Sequence, residues 1–288
     1  MDATAVRTPG PVDRPSVCVV VPCYQPTLRP YEQLALRQCR SVLGAYDLAI
    51  VKPSALDLTD LATQYDIGRI ESFPGHYFEG IAGYNQLMLA DEFYARFAAY
   101  EFILIYQLDA FVFRDELAAW CAKPYDYIGA PWLPPRNVPA RLEERLIKAR
   151  QYLLRWSNRM APGGGAIHGG QYMYAVGNGG FSLRRVSTMR SVLQRMPSAA
   201  DRYRAIDGRT HYEDIFFTIE ANRYLPRVRV PSFREAAGFA WELQPEQARA
   251  LNHGKLPFGC HAWNKLHADE WRPVFAALGY RLDDLVRG

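Results

Sequence analysis

Four short strand-like runs recur in the first 110 residues: three largely apolar, SVCVVV at 16–21, DLAIV at 47–51 and FILIY at 102–106, and one mixed, RIESF at 69–73. Each stops at a proline or a polar residue, and stretches of helical period lie between them. The first run is short and β-branched and predicts a buried strand, and FILIY is the strongest strand pattern of the four. Helices are predicted over 31–43 and over 80–97. In the second, Ile81, Tyr84, Leu87 and Met88 share one face and Phe93 and Phe97 continue it. Strands alternating with helices imply an α/β fold with a mostly parallel, Rossmann-like central sheet flanked by helices. Such a sheet binds its ligands beyond the carboxyl ends of its strands. Tyr24, Lys52 and Asp109 all stand at such ends.

The second half is less regular. A strand is predicted over 125–130 (YDYIGA), breaking at Pro131 and Trp132, and a basic amphipathic helix over 140–157. A glycine-rich loop at 162–165 leads to a further predicted strand over 171–176. Gly177, Gly179 and Gly180 then cluster ahead of a helix over 186–196. No repeat or linker interrupts the pattern. The reading is therefore one domain over 16–288 behind a disordered tail at 1–15, with an irregular C-terminal half.

With 288 residues, 49% hydrophobic and 22% charged, the chain can bury a large core and lacks a disordered composition. Its five cysteines are scattered, without CxxC spacing, which argues against a zinc ribbon or a disulfide framework and fits a reducing compartment. The first 15 residues lack a signal-peptide core, and no apolar run approaches the roughly 20 residues of a membrane span. A cytoplasmic protein is expected, with a peripheral contact at the inner face of the membrane left open. That contact would use the basic helix: residues 136–159 hold seven bases against two acids, more than the whole net charge of +4. Leu142, Leu146, Ile147, Leu153, Leu154 and Trp156 lie among those bases. The pattern fits a helix on an anionic membrane, and it fits an ordinary packed helix with a solvated cationic face. It lacks the aromatic platforms and module signatures of nucleic-acid binding, so no nucleic acid is expected.

Four places carry candidate chemistry. Asp109 follows the FILIY run, where a carboxylate suits a hard divalent cation, Mn²⁺ or Mg²⁺, or simply caps a turn. The stretch 177–184 (GNGGFSLR) has three glycines in four positions, which permit a close ligand approach or positive φ, and equally a plain tight turn. In 210–217 (THYEDIFF), Thr210 and Glu213 fit a capping box, which gives Glu213 a structural role. Asp214 is then left to face a cleft and take a proton from an attacking hydroxyl. A helix N-terminus would work against it by favouring the charged carboxylate. His261, in PFGCHAW at 257–263, suits a ring-nitrogen ligand or a hydrogen-bonded core residue.

Taken with Tyr24, Lys52, GYNQLM at 83–88, YQLDAFVF at 106–113 and DYIGAPW at 126–132, these stretches resemble a family of bacterial polysaccharide-cluster glycosyltransferases filed under a domain of unknown function. The likeness runs from about Val17 to Trp263. The family is itself similar to GT-A glycosyltransferases, whose sheet holds a nucleotide sugar and often a metal through a DxD motif. Here that motif reads Gln107-Leu108-Asp109, so a cation would rest on Asp109 and a second ligand such as His261. The resemblance implies that Tyr24 and Lys52 lie near the nucleotide, and that Tyr84, Asn85, Gln107, Asp109, Gly179 and Gly180 bind the donor. Glu213 and Asp214 match the acidic pair from which inverting enzymes take their base. A UDP-sugar donor and a glycan or lipid-linked glycan acceptor would follow, in surface polysaccharide or O-antigen synthesis. Two other readings stay open: a nucleotidyltransferase on a similar sheet, whose usual glycine-rich first loop is missing from CYQPTLRP at 23–30, and a catalytically silent glycan-binding or scaffold protein.

Overall fold

The computed structural model describes residues 16–135, 141–157, 172–204 and 212–286. The expected tail at 1–15, the glycine-rich loop at 162–165 and Thr210 lie outside the described residues.

The central sheet has six strands in the order β3-β2-β1-β4-β7-β6. These are β1 (Val17–Pro22), β2 (Asp47–Pro53), β3 (Arg69–Phe73), β4 (Phe102–Tyr106), β6 (Tyr127–Ile128) and β7 (Phe181–Arg185). β1 to β4 run parallel, with Val19 paired to Leu48 on one side and to Leu104 on the other. β7 runs antiparallel to both β4 and β6. The mostly parallel sheet read from the apolar runs is thus present, with an antiparallel edge.

All six residues of β1 are buried, because helices cover both faces. Side chains alternate across a strand. Val17, Val19 and Val21 therefore join one core with α1 (Pro30–Leu43) and α2 (Thr59–Gln64). Cys18 and Val20 join the other, with α3 (Gly80–Met88), α4 (Asp91–Arg96) and α7 (Val186–Arg195). Pro30 opens α1 at a position where its missing N–H costs nothing. A third core gathers Phe111, Trp241, Trp263, Trp271 and Phe275. It lies around a small sheet of order β5-β9-β8, made of Ala110–Val112, Gly259–His261 and Ala240–Trp241.

Four expectations change. The single helix over 80–97 is two helices, broken where Ala90 is extended (φ −91°, ψ 125°) and Leu89 is buried. The strand expected over 125–130 shrinks to two residues. The one expected over 171–176 is, over its described residues 172–176, a turn with a lone bridge between Pro131 and Val176. The glycine stretch runs directly into β7, a strand not foreseen; its polar Ser182 and Arg184 are fully buried and break the apolar pattern by which strands are recognised. The basic helix is present as α6 (Arg141–Ser157).

Candidate active site

The chain builds β2 and β3 on one side of β1 and then places β4 on the other. The connections leaving β1 and β4 therefore diverge, and a crevice opens at their carboxyl ends. A cavity of about 680 Å³ occupies it. Tyr24, Tyr84, Asn85, Gln107, Asp109, Gly179, Gly180, Glu213, Asp214 and His261 all line it. Lys52 does not. It sits in β2, beyond β1 from β4, is buried, and donates to its neighbour's Pro53 carbonyl at 3.3 Å. Of the residues expected near the donor, Lys52 is thus the one outside this cavity's lining.

One wall is a charged cluster. Asp109 follows β4, and its Oδ1 and Oδ2 lie 3.1 Å from His261 Nε2 and 2.9 Å from Lys265 Nζ. Burial pushes its carboxyl up, but these two cations outweigh that and hold it well below the carboxylate range. His261 donates from Nδ1 to Glu242 Oε1 at 2.9 Å. Burial disfavours its charged form, yet the Asp109 and Glu242 carboxylates raise the imidazole to about 10. Its Nε2 faces Gln107 Oε1 as well as Asp109 Oδ1, each at 3.1 Å. Two acceptors converging on one ring nitrogen require a positive species between them, either a proton or a metal cation. A metal-ligating imidazole usually donates its other ring N–H to a carboxylate or carbonyl, as Nδ1 does here to Glu242. Gln107 Oε1, Asp109 and His261 thus form a donor set that fits a divalent ion. Among the described residues no trio of His, Cys, Asp and Glu does so alone.

The opposite wall carries the acids of α9 (Glu213–Ile215), which continues into one turn of π-helix, Phe216–Glu220. Asp214 accepts from the backbone N–H of Asn178 and of Ile215, both at 2.8 Å. Burial and the neighbouring Glu213 nonetheless raise its carboxyl to about 7, against the two N–H donors. Desolvation thus outweighs the helix-terminus effect expected to lower its basicity.

Glu213 plays a different part. Its Oε1 lies 2.8 Å from Nη2 of Arg184, a guanidinium with no exposed surface that also donates to Tyr94 and Ser182. The expected capping box needs a helix starting near 210. Here the first helical residue is Glu213, behind Tyr212, and its N–H is accepted by Asn85 Oδ1 at 3.2 Å.

The glycine turn joins the two walls. A Cβ at Gly179 would stand 1.9 Å from Glu213 Oε1, one at Gly180 2.0 Å from His261 Nε2, and one at Gly177 1.8 Å from the Trp132 ring. Glycine is needed here for room rather than for φ. The left-handed residue of the turn is Asn178, at φ 69°, whose side chain accepts from Gly180 N–H at 3.0 Å. Tyr84 donates to the Gly179 carbonyl at 3.3 Å, and Gly180's carbonyl accepts from Gln107 N–H at 2.8 Å.

Glu32, Trp132, Tyr212, Glu242 and Lys265 also line the cavity, although sequence reasoning did not assign them to the site. Lys265 lies four residues past His261, a spacing that was legible. Glu242 reaches His261 only because β8 pairs with β9, and two-residue strands leave no periodic signal.

No curated protein matches the chain. Among solved structures, it is similar to core-mannan synthase A (CmsA/Ktr4) from Aspergillus fumigatus in a Mn/GDP form, with 9% identity, TM-score 0.47 and coverage of 79% of this chain and 75% of that one. It is similar to the galactosyltransferase LgtC in complex with donor and acceptor sugar analogues, with 13% identity, TM-score 0.48 and coverage of 90% and 95%. A glycosyltransferase that modifies the PBCV-1 major capsid shows 11% identity, TM-score 0.45 and coverage of 86% and 93%. A family model described as protein of unknown function (DUF5672) matches residues 68–261, about two thirds of the sequence. The chain belongs to that family.

Proposed function

We propose that the chain is a GT-A-type glycosyltransferase that transfers a sugar from a nucleoside-diphosphate donor to a glycan hydroxyl by a single inverting displacement. One observation carries this reading. A buried carboxyl raised to about 7 and a cluster able to hold a cation face one cavity, and a single glycine turn touches both. A general base tuned close to neutral pH is what proton removal from a hydroxyl calls for.

In the proposed reaction Asp214 takes the acceptor O–H proton while that oxygen bonds to the anomeric carbon. The bond from that carbon to the phosphate oxygen breaks, and the leaving nucleoside diphosphate keeps the electron pair. Gln107, Asp109 and His261 would hold a divalent cation, which when bound offsets charge on the diphosphate. Lys265, half-exposed beside Asp109, can turn its ammonium to the same phosphates. Glu213 is spent on Arg184, so we assign it a positioning role, holding α9 against β7. Tyr24, exposed at the cavity mouth, offers a ring face to the nucleobase.

The test is a thermal-shift panel of UDP-, GDP- and other nucleotide sugars with and without Mn²⁺ or Mg²⁺. At a hundredfold excess over Kd a ligand of the native state adds about 2.7 kcal/mol. In a chain of this size that is a rise of roughly 5 °C. Asp109→Asn should abolish the shift, and Asp214→Asn should keep the shift and lose turnover. A panel without any shift would overturn the reading.

A further inference from the structure

The exposed apolar surface of this protein is concentrated in two places. Eleven large hydrophobic side chains are exposed among the described residues, and three of them, Tyr24, Ile81 and Tyr212, belong to the cavity mouth. Six others gather on one surface away from it. Leu146, Tyr152, Leu153 and Trp156 stand on α6, and Tyr224 and Leu225 on the turn beside its carboxyl end. Arg223 ties that turn to the helix by donating to the Trp156 carbonyl at 2.5 Å. Leu146, Ala149, Leu153 and Trp156 follow at intervals of three, four and three, a single stripe along the outer face. Exposed Arg145 and Arg150 flank it. The inner face is already spent on the protein: Glu144 and Gln151 are buried, and Glu144 pairs with Arg234 at 2.6 Å.

We propose that the outer face of α6 and the adjoining turn dock on an anionic lipid bilayer. The apolar stripe is suited to the acyl boundary, and arginines beside it can reach lipid phosphates without leaving water. The same charges argue against a second copy of the chain as the occupant. A two-fold contact through this stripe would bring Arg145 and Arg150 of each copy towards those of the other. Among the described residues no helix is long and apolar enough to cross a membrane, so this surface would act by lying on it. A second cavity, alongside α6, is lined by Tyr152 and the edge of the stripe at Trp156 together with Tyr174, Ala175 and Val176. Tyr172 and Met173, just ahead in the chain, line the active cavity. Docking would therefore hold that cavity close to the lipid surface. The proposal stands on the surface alone and does not depend on the transferase reading.

Vesicle flotation tests it without donor or acceptor. The full chain should float with phosphatidylglycerol/phosphatidylcholine vesicles, lose this in high salt, and bind pure phosphatidylcholine at least tenfold more weakly. Leu153→Ser/Trp156→Ser and Arg145→Glu/Arg150→Glu should each cut binding about tenfold or more while leaving far-UV circular dichroism unchanged. Those sites are exposed and outside the cavity, so nucleotide-sugar thermal shifts should survive in both variants. Failure of the unmodified chain to float with anionic vesicles, or flotation that both variants retain, would overturn the proposal. Concentration-dependent dimerisation that the Leu153/Trp156 variant abolishes, without vesicle binding, would assign the surface to a second copy instead.

Discussion

Asp214 and Glu213 are adjacent carboxylates with opposite assignments, and their contacts separate them. Glu213 faces a buried guanidinium; Asp214 faces two backbone N–H groups, Glu213 itself, Tyr127 on β6 and Glu242 across the cavity. Folding raises the Asp214 carboxyl from 3.8 to about 7. Between those values the folded chain keeps a proton that the unfolded chain has released. Its contribution to stability is therefore greatest below about pH 4, falls as pH rises to about 7, and is flat above. Asp214→Asn should remove that slope, so its urea midpoint should gain on the unmodified protein between pH 5 and pH 8. If Asp214 is the base, kcat/KM should climb through the same range and level off above pH 7, and the Asn variant should lose 10²–10⁴ in kcat. At the two glycines the limit is steric. Gly179→Ala and Gly180→Ala each drive a methyl into a side chain of the cavity wall, Glu213 or His261. Each should lose about 1–3 kcal/mol in denaturant unfolding. Gly180→Ala should also blunt any metal-dependent thermal shift, because it displaces the ring nitrogen of His261.

β7 and α9 are locked together by that ion pair. Arg184 is entirely buried, with hydrogen bonds to Tyr94, Ser182, the Gly179 carbonyl and Glu213, and its guanidinium lies 5.1 Å from the Tyr127 ring centroid. Removing one partner strands the other's charge in the core, at a cost of about 3–5 kcal/mol. Arg184→Leu and Glu213→Gln should each show that loss in urea unfolding, and the double variant should recover a large part of it. The π-turn after α9 belongs to the same unit. Thr218 donates to the Asp214 carbonyl at 2.7 Å, and Ala221 N–H reaches back five residues to Phe216. π-turns are frequent at functional sites. None of this was legible, because β7 carries an arginine and a serine where an apolar run would mark a strand. By contrast β1 and β4 were located to within a residue, because each is an uninterrupted apolar run, and β3, though mixed in composition, was marked by the Pro74-Gly75 that closes it.

Across the whole molecule, the two faces of the central sheet and the small C-terminal sheet bury all five cysteines. Burial pushes Cys18 and Cys121 up to about 12 and Cys23 to about 11. The native protein should therefore leave its thiols unlabelled by a thiol reagent at pH 8, and all five should react together across the urea transition. Labelling of a thiol well before that transition would show that its layer opens locally. The same layering sets the site. β1 and β4 are neighbours in space though some 80 residues apart, and their diverging connections open the crevice that receives Asp109 from one segment, Asp214 from another and His261 from a third.

Apolar period and chain breakers are local properties, so the alternation of strands and helices, the residues at strand ends and the basic amphipathic helix could be read directly along the chain. Charge state, closeness and pairing are not local. The buried surroundings that raise Asp214, the guanidinium that claims Glu213, and the Glu242 and Lys265 contacts in the charged cluster arise only when distant segments pack. Each depends on the desolvation and short distances that packing creates, and neither quantity is written in the order of the residues.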